Sequence, residues 1–302
     1  SVSVMDVVAN GAISTGRMNI ESTTAADASN YIYSDIATGA SCRYAFTGRP
    51  DSVVFWYHYK MSGTQTATFK VHLHGNVEYH DIPTSTAATT QSGKIANAFC
   101  EVSCSGENTT WQKKEQAFAY YNSSNTVISN PTLSNTTQPS YLLASFSTNK
   151  TSGGGTADDA FFIDDATMIY NKRLSNLTLN GTTISGFNPD ITTYTVNHCS
   201  GTAYPTVTAT AQSGLVTSTV VTQPTSSSHT ATVVVTHNDG STKTYTITFN
   251  EISVNTPSVA SVSRCGTGTV TMSVSNVQSN VTYHWYVGST QMTTGSSYSP
   301  NL

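Results

Sequence analysis

The residues best suited to contact a ligand are crowded into GRPDSVVFWYHYK, Gly48 to Lys60, where three consecutive aromatics are followed by a histidine and a further tyrosine. An indole offers an apolar face on which a sugar ring stacks, and an imidazole beside it can hold hydroxyls. Pro50 restricts Arg49 to extended geometry. Alternation from about Ser52 then puts Val53, Phe55, Tyr57 and Tyr59 on one face and Val54, Trp56, His58 and Lys60 on the other. The next strand, ATFKVHLHG, divides in the same way into Phe69, Val71 and Leu73 against Lys70, His72 and His74. The apolar stripes are expected to form a core. The expected contact face is Trp56, His58, His72 and His74, with Trp111 from a later segment, provided that no loop or neighbouring domain covers Trp56. As metal ligands the three histidines form a weak set, with no carboxylate at helix or loop spacing.

Carboxylates supply the other candidate chemistry. In Phe161-Phe162-Ile163-Asp164-Asp165-Ala166 an acid pair interrupts an apolar run. A buried strand tolerates this only if the charges are paired, for example with Arg49, exposed at a bulge, or bound to a cation. Asp158 and Asp159, after three glycines, read as a solvated loop. Glycoside hydrolysis needs two carboxyls about 5 to 9.5 Å apart in a cleft. Asp51, Glu78, Asp81, Glu101 and Glu115 are candidates, and nothing in their spacing brings two together. GxSxG, HExxH and phosphate-loop motifs are absent. The expectation is therefore no catalytic residue and no enzyme.

These residues sit in a chain of 302 residues with 37% hydrophobic, 10% aromatic and 10% charged residues, against roughly 25% charged in an ordinary soluble domain. Solubility must rest on Ser, Thr, Asn and Gly. The net charge is -4, and the 13 Lys and Arg are scattered without a basic run, which argues against nucleic acid as a partner. No apolar run approaches the roughly 18 residues of a transmembrane helix, and Ser1 opens the chain without signal-peptide features, as expected for a mature or excised piece. Five cysteines, Cys42, Cys100, Cys104, Cys199 and Cys265, leave at least one unpaired and form no zinc spacing; buried free thiols are expected. Seven Asn-x-Ser/Thr sequons, including Asn108, Asn122, Asn135 and Asn280, match the N-glycan pattern, which a chain this rich in Asn and Thr also produces by chance.

Helical periodicity is nearly absent, while β-branched and aromatic runs recur between Gly, Asn, Pro and Ser punctuation. The predicted fold is all-β, as tandem β-sandwiches. Residues 1-171 carry most of the Trp and Tyr. Residues 172-252 switch to Thr and Val alternation, with Asn238-Asp239-Gly240 as a hairpin signal. A third register begins near Pro257 and runs to residue 302. Connectors as short as Asn171, Lys172 and Arg173 make independent tumbling of the units unfavourable.

The series GAISTGRMNI, GRPDSVVFWYHYK, Trp111 before FAYYN, PSYLLASFSTN and GGGTADDAFFIDDATMIY resembles the "putative carbohydrate metabolism domain" (PCMD) of Bacteroidetes surface proteins, over most of residues 11 to 171. That resemblance implies a jelly roll similar to carbohydrate-binding modules, with opening strands longer than the segment before Gly11 supplies. Similar modules often hold a structural calcium with an acid from the last strand, which makes Asp164 and Asp165 the candidate metal residues. LSNLTLNGTTISGFNPDITTYTV and the hairpin to YTITFNE resemble cadherin-like β-sandwich modules over 174 to 251, without the calcium-binding acids of true cadherins. Cys265 and Trp285 in VTYHWYVG match the opening of an Ig-like module, with Trp285 expected in its core. The resemblance implies a chain that continues toward a type IX secretion signal.

The function expected from this is that of a secreted, extracellular protein at the bacterial cell surface. Its jelly roll would bind a glycan non-catalytically, and the later sandwiches would act as spacers. The alternatives are a filament subunit or adhesin contacting other surface proteins only, and a glycoside hydrolase.

Overall fold

The computed structural model describes residues 2–4, 7–38, 40–84, 86, 89, 91–279 and 281–301; Asn280 of the sequon series lies outside them. The described residues form strands from end to end, with one 3-10 turn at Ala40–Cys42 and no α-helix. The fold is all-β, built as several separate sheets.

The first unit is organised by two long strands, Ser52–His74 and Lys94–Ala117, paired antiparallel over almost their whole length. A straight strand would hold Phe55 and Phe69 about 45 Å apart. Instead their rings stack at 4.3 Å, because the ribbon bends where its register slips between Lys60 and Thr64. The bend divides it into a near arm (52–60) and a far arm (64–74) that face each other across one core. Ala160–Ile169 pairs with the near arm and Tyr141–Ser147 with the far arm. Val53 and Phe55 from one side meet Phe69, Val71 and Leu73 from the other. Asp159 braces the corner rather than forming a solvated loop: it is buried, and its carboxylate accepts from Ser62 N–H and Thr156 N–H, both at 2.7 Å. Cys100 and Cys104 are free thiols within this core, and burial pushes both up to about 11.

A second cluster, around Leu174, Leu177, Val233, Tyr245 and Phe249, fills the space between a three-stranded and a four-stranded sheet. The turn between Leu174–Leu179 and Thr182–Thr183 is made by Asn180 and Gly181, at φ 48° and 82°, the paired left-handed geometry of a tight hairpin. The two clusters are stapled together. Leu215 packs into the first core although its neighbours belong to the second, and a Cβ on Gly214 would meet Pro131 O at 2.5 Å. The Asn238 side chain pairs with both backbone groups of Arg49, at 3.0 and 2.9 Å. Asn238 N–H donates to His237 Nδ1, so Nε2–H donates to Asp51 Oδ2 at 2.9 Å. The joint is thus packed and hydrogen-bonded on both sides.

After Ile252 the strands are short, with Met272–Ser273 paired to Ser297–Tyr298 and His284–Val287 to Thr290–Thr294. Trp285 is only half-buried here, held by Nε1–H donating to Gly295 O at 2.9 Å. The buried ring is Tyr283, whose hydroxyl accepts from Gln278 N–H at 2.8 Å. Cys265 is exposed.

Candidate functional site

The near arm carries the aromatic face. Trp56 stands opposite Lys113 on one neighbour and Asp164 on the other, and His58 stands opposite Phe162. Strand pairing lays down the row Lys113–Trp56–Asp164 and sets Phe162 beside His58; the ladder slips between Tyr57 and Tyr59, and Trp111 completes a second row, Trp111–His58–Phe162, through its ring contact with His58. Trp56, Trp111 and Phe162 are exposed by 38%, 42% and 46%. His58 is held between its row neighbours, stacked on Phe162 at 4.3 Å and 16° and edge-on to Trp111 at 4.4 Å and 85°. Its half-buried ring sets the angle of the two larger rings, which keep free surface. Exposed Lys113 and Asp164 add a hydrogen-bond donor and an acceptor beside Trp56. The arrangement suits an amphipathic ligand with flat apolar faces and polar edges.

Of the sequence candidates, Trp56, His58 and Trp111 are brought together, and His72 and His74 are not. Both belong to the far arm, whose outward side is covered by a three-stranded sheet of Arg17–Asn19, Tyr31–Ser34 and Tyr79–Asp81. His74 is fully buried. Its Nδ1–H donates to Gly75 O at 2.9 Å and its Nε2 accepts from the Ser34 hydroxyl at 2.8 Å. Burial pushes its pKa down to about 4. His72 Nδ1 bonds the Tyr79 hydroxyl at 3.2 Å, and its Nε2 lies 3.7 Å from Asp81 Oδ1. Both imidazoles hold the covering sheet in place and are shut off from the aromatic rows.

Asp164 and Asp165 stand exposed at a bulge between Asp164 and Thr167. Asp164 Oδ1 accepts from Asp165 N–H at 2.8 Å. Calcium takes six to eight oxygens, and among the described residues no group of three or more His, Cys, Asp or Glu gathers to hold an ion. Arg49 does not pair with these two acids; its guanidinium donates to Leu133 O and Thr136 O. Among the other acids, Asp51 belongs to the joint, Glu78 pairs with His80 at 2.7 Å and Glu115 accepts from Ser52 at 2.6 Å. Asp81 and Glu101 line a groove on the far arm.

Phe162 and Lys113 are the contact residues that sequence reasoning missed. The signal was present: alternation through FFID separates Phe162 and Asp164 from Phe161 and Ile163, and Lys113 follows Trp111 by one strand period.

No family model and no curated protein matches this chain. Among solved structures it is similar to a "putative glycoside hydrolase" from Bacteroides thetaiotaomicron, at TM-score 0.32 and 13% identity over 47% of this chain and 46% of that one. It is also similar to a "putative glycoside hydrolase" from Bacteroides vulgatus, at TM-score 0.32 and 14% identity over 46% of this chain and 63% of that one. The chain thus spans less than two thirds of either protein, and a likeness this distant says nothing about activity.

Proposed function

We propose that this is a secreted surface protein whose first unit binds a glycan without cleaving it, through the two aromatic rows of the near arm. The sandwich behind it serves as a stiff spacer. The observation that carries the reading is that Trp56, Trp111 and Phe162 keep exposed ring surface on one side of three adjacent strands, with Lys113 and Asp164 in register beside them. The hydrogen-bonded joint supports the spacer role, because a surface held by both Asn238 and Leu215 moves with the unit behind it. In affinity electrophoresis through gels containing neutral polysaccharides, the protein is expected to be retarded. Trp56→Ala and Trp111→Ala are each expected to weaken retention about tenfold, since one stacked ring contributes about 0.5–1.5 kcal/mol beyond its buried area. Equal mobility of native protein and variants in every gel overturns the reading.

A further inference from the structure

The far arm has an opening of its own. Its outward side and the covering three-stranded sheet do not close completely, and between them lies a groove of about 540 Å³, within the roughly 300–1,000 Å³ of small-ligand sites. The floor is strand: Thr68 and Lys70 from the far arm, Phe99 and Glu101 from one neighbour, Ser145 and Ser147 from the other. One wall is Met18, Ile20, Tyr31 and Ile32; the facing wall is the loop from Asn149 to Gly153.

Two features of the groove define what fits it. Its charged residues are two cations and two anions, Lys70 and Lys150 against Asp81 and Glu101, paired as Lys70–Asp81 at 3.0 Å and Lys150–Glu101 at 3.1 Å. An ionic ligand would have to break one of these pairs, whereas a neutral ligand keeps both. The rim is apolar where water would be expected, with Met18 and Ile20 exposed by 55% and 70%. An entirely apolar ligand would strip water from the half-exposed ends of Lys150 and Glu101 and give no hydrogen bond in return. A molecule with apolar ring faces and hydroxyl edges meets both demands.

The two facing walls are also tied in place, which lowers the ordering cost of binding. Asn30 clamps the loop behind Ile20: its Oδ1 accepts from Glu21 N–H and Ser22 N–H, and its Nδ2–H groups donate to Ser22 O and Thr24 O, all at 3.0 Å. Ser152 ties the opposite loop across to Ala25 O at 2.7 Å.

We infer that this groove is a second binding site, for a short neutral oligosaccharide, placed on the far arm and separate from the aromatic rows of the near arm. The inference does not depend on the aromatic rows binding anything. A chain with both sites would engage two sugar segments at once, and its avidity for a polymer would exceed the affinity of either site.

The test is a titration of the full chain with cello-, xylo-, manno- and malto-oligosaccharides, followed by amide resonances assigned to the groove (Thr68, Lys70, Phe99, Glu101, Ser145) and to the near arm. At least one series is expected to move the groove resonances saturably. Phe99→Ala is expected to weaken that response about tenfold, the order of one lost ring contact. Ile20→Asp, at an exposed position where folding is insensitive, is expected to weaken it comparably, and Trp56→Ala to leave it unchanged. If the groove resonances stay still in all four series, or if Ile20→Asp and Phe99→Ala both leave the response intact, the groove is not a sugar site. Movement confined to the near arm overturns this inference while leaving the aromatic site standing.

Discussion

The near and far arms are one strand with one alternation and one shared partner, yet their outward sides differ: past buried Ser52 and Val54 the near arm opens to water from Trp56 on. On the near arm Trp56 is exposed, in line with exposed Lys113 and Asp164. On the far arm Thr68, Lys70, His72 and His74 are all buried. The difference comes from Arg17–Asn19, Tyr31–Ser34 and Tyr79–Asp81, which lie over the far arm only. Alternation therefore fixes which way a side chain points, and distant strands decide whether that side is wet. A buried polar row must also be satisfied internally, and the far arm answers with Lys70–Asp81, Ser145–Asp81, His72–Tyr79 and His74–Ser34. On the near arm buried Ser52 donates to Glu115 at 2.6 Å, while exposed Lys113 and Asp164 beside Trp56 have water as a partner.

The sharpest way to break this comparison is to remove one acid from each arm. Asp81→Ala removes the buried carboxylate that pairs with Lys70 and accepts from Ser145, and is expected to cost about 3–5 kcal/mol. Asp164→Ala, at an exposed bulge, is expected to stay within about 0.5 kcal/mol of the native chain. Urea unfolding followed by far-UV circular dichroism measures both, and similar losses would mean that the two sides are equally buried. The next effect is pH-dependent. Well above pH 6.5 His74 is neutral in the folded and unfolded chain, and stability does not depend on it. As the pH falls toward 4 the unfolded chain takes up a proton that the buried ring refuses. Stability is then lost across that window, by about 3 kcal/mol at its lower end. His74→Gln is expected to flatten this part of the stability–pH curve, whatever it costs at neutral pH. An unchanged slope would place the burial penalty elsewhere.

Smaller still is the stability cost of Trp56→Ala, about 1–2 kcal/mol, because more than a third of the ring is already in water. Its main consequence should be lost glycan retention, so retention and unfolding midpoint measured on one sample separate contact from packing. That separation also marks what was legible in the sequence. The two faces of GRPDSVVFWYHYK could be read because a strand period of two is local. The all-β class could be read because helical periodicity is missing throughout. The burial of His72 and His74 could not, because the cover comes from residues 17–34 and 79–81 and no pattern in HLH announces them. The bend at 61–63 was equally hidden. It brings Phe55 onto Phe69 through a register slip and through Asp159, whose acidic side chain reads as loop until Ser62 is found beside it.

The last effect is no larger than that of Trp56→Ala and concerns why the acid pair interrupts its strand at all. Phe162 and Asp164 point outward, and unbroken alternation would send Met168 outward as well. Met168 instead pairs with Val53 and packs against the core. The bulge between Asp164 and Thr167 shifts the strand by one residue and exchanges its faces, so that aromatic and acid stay on the ligand side while methionine fills the interior. Asp165 carries the shift at φ 49°, a left-handed conformation that Asp tolerates and β-branched residues do not. Asp165→Gly should therefore change stability by no more than about 0.5 kcal/mol, and Asp165→Val should cost about 1–2 kcal/mol. With the bulge strained in this way, Asp164 would lose its register with Trp56, so Asp165→Val should also weaken glycan retention although residue 165 need not touch the sugar. If the valine variant matched the glycine variant in both stability and retention, the exchange of faces would not depend on this backbone conformation.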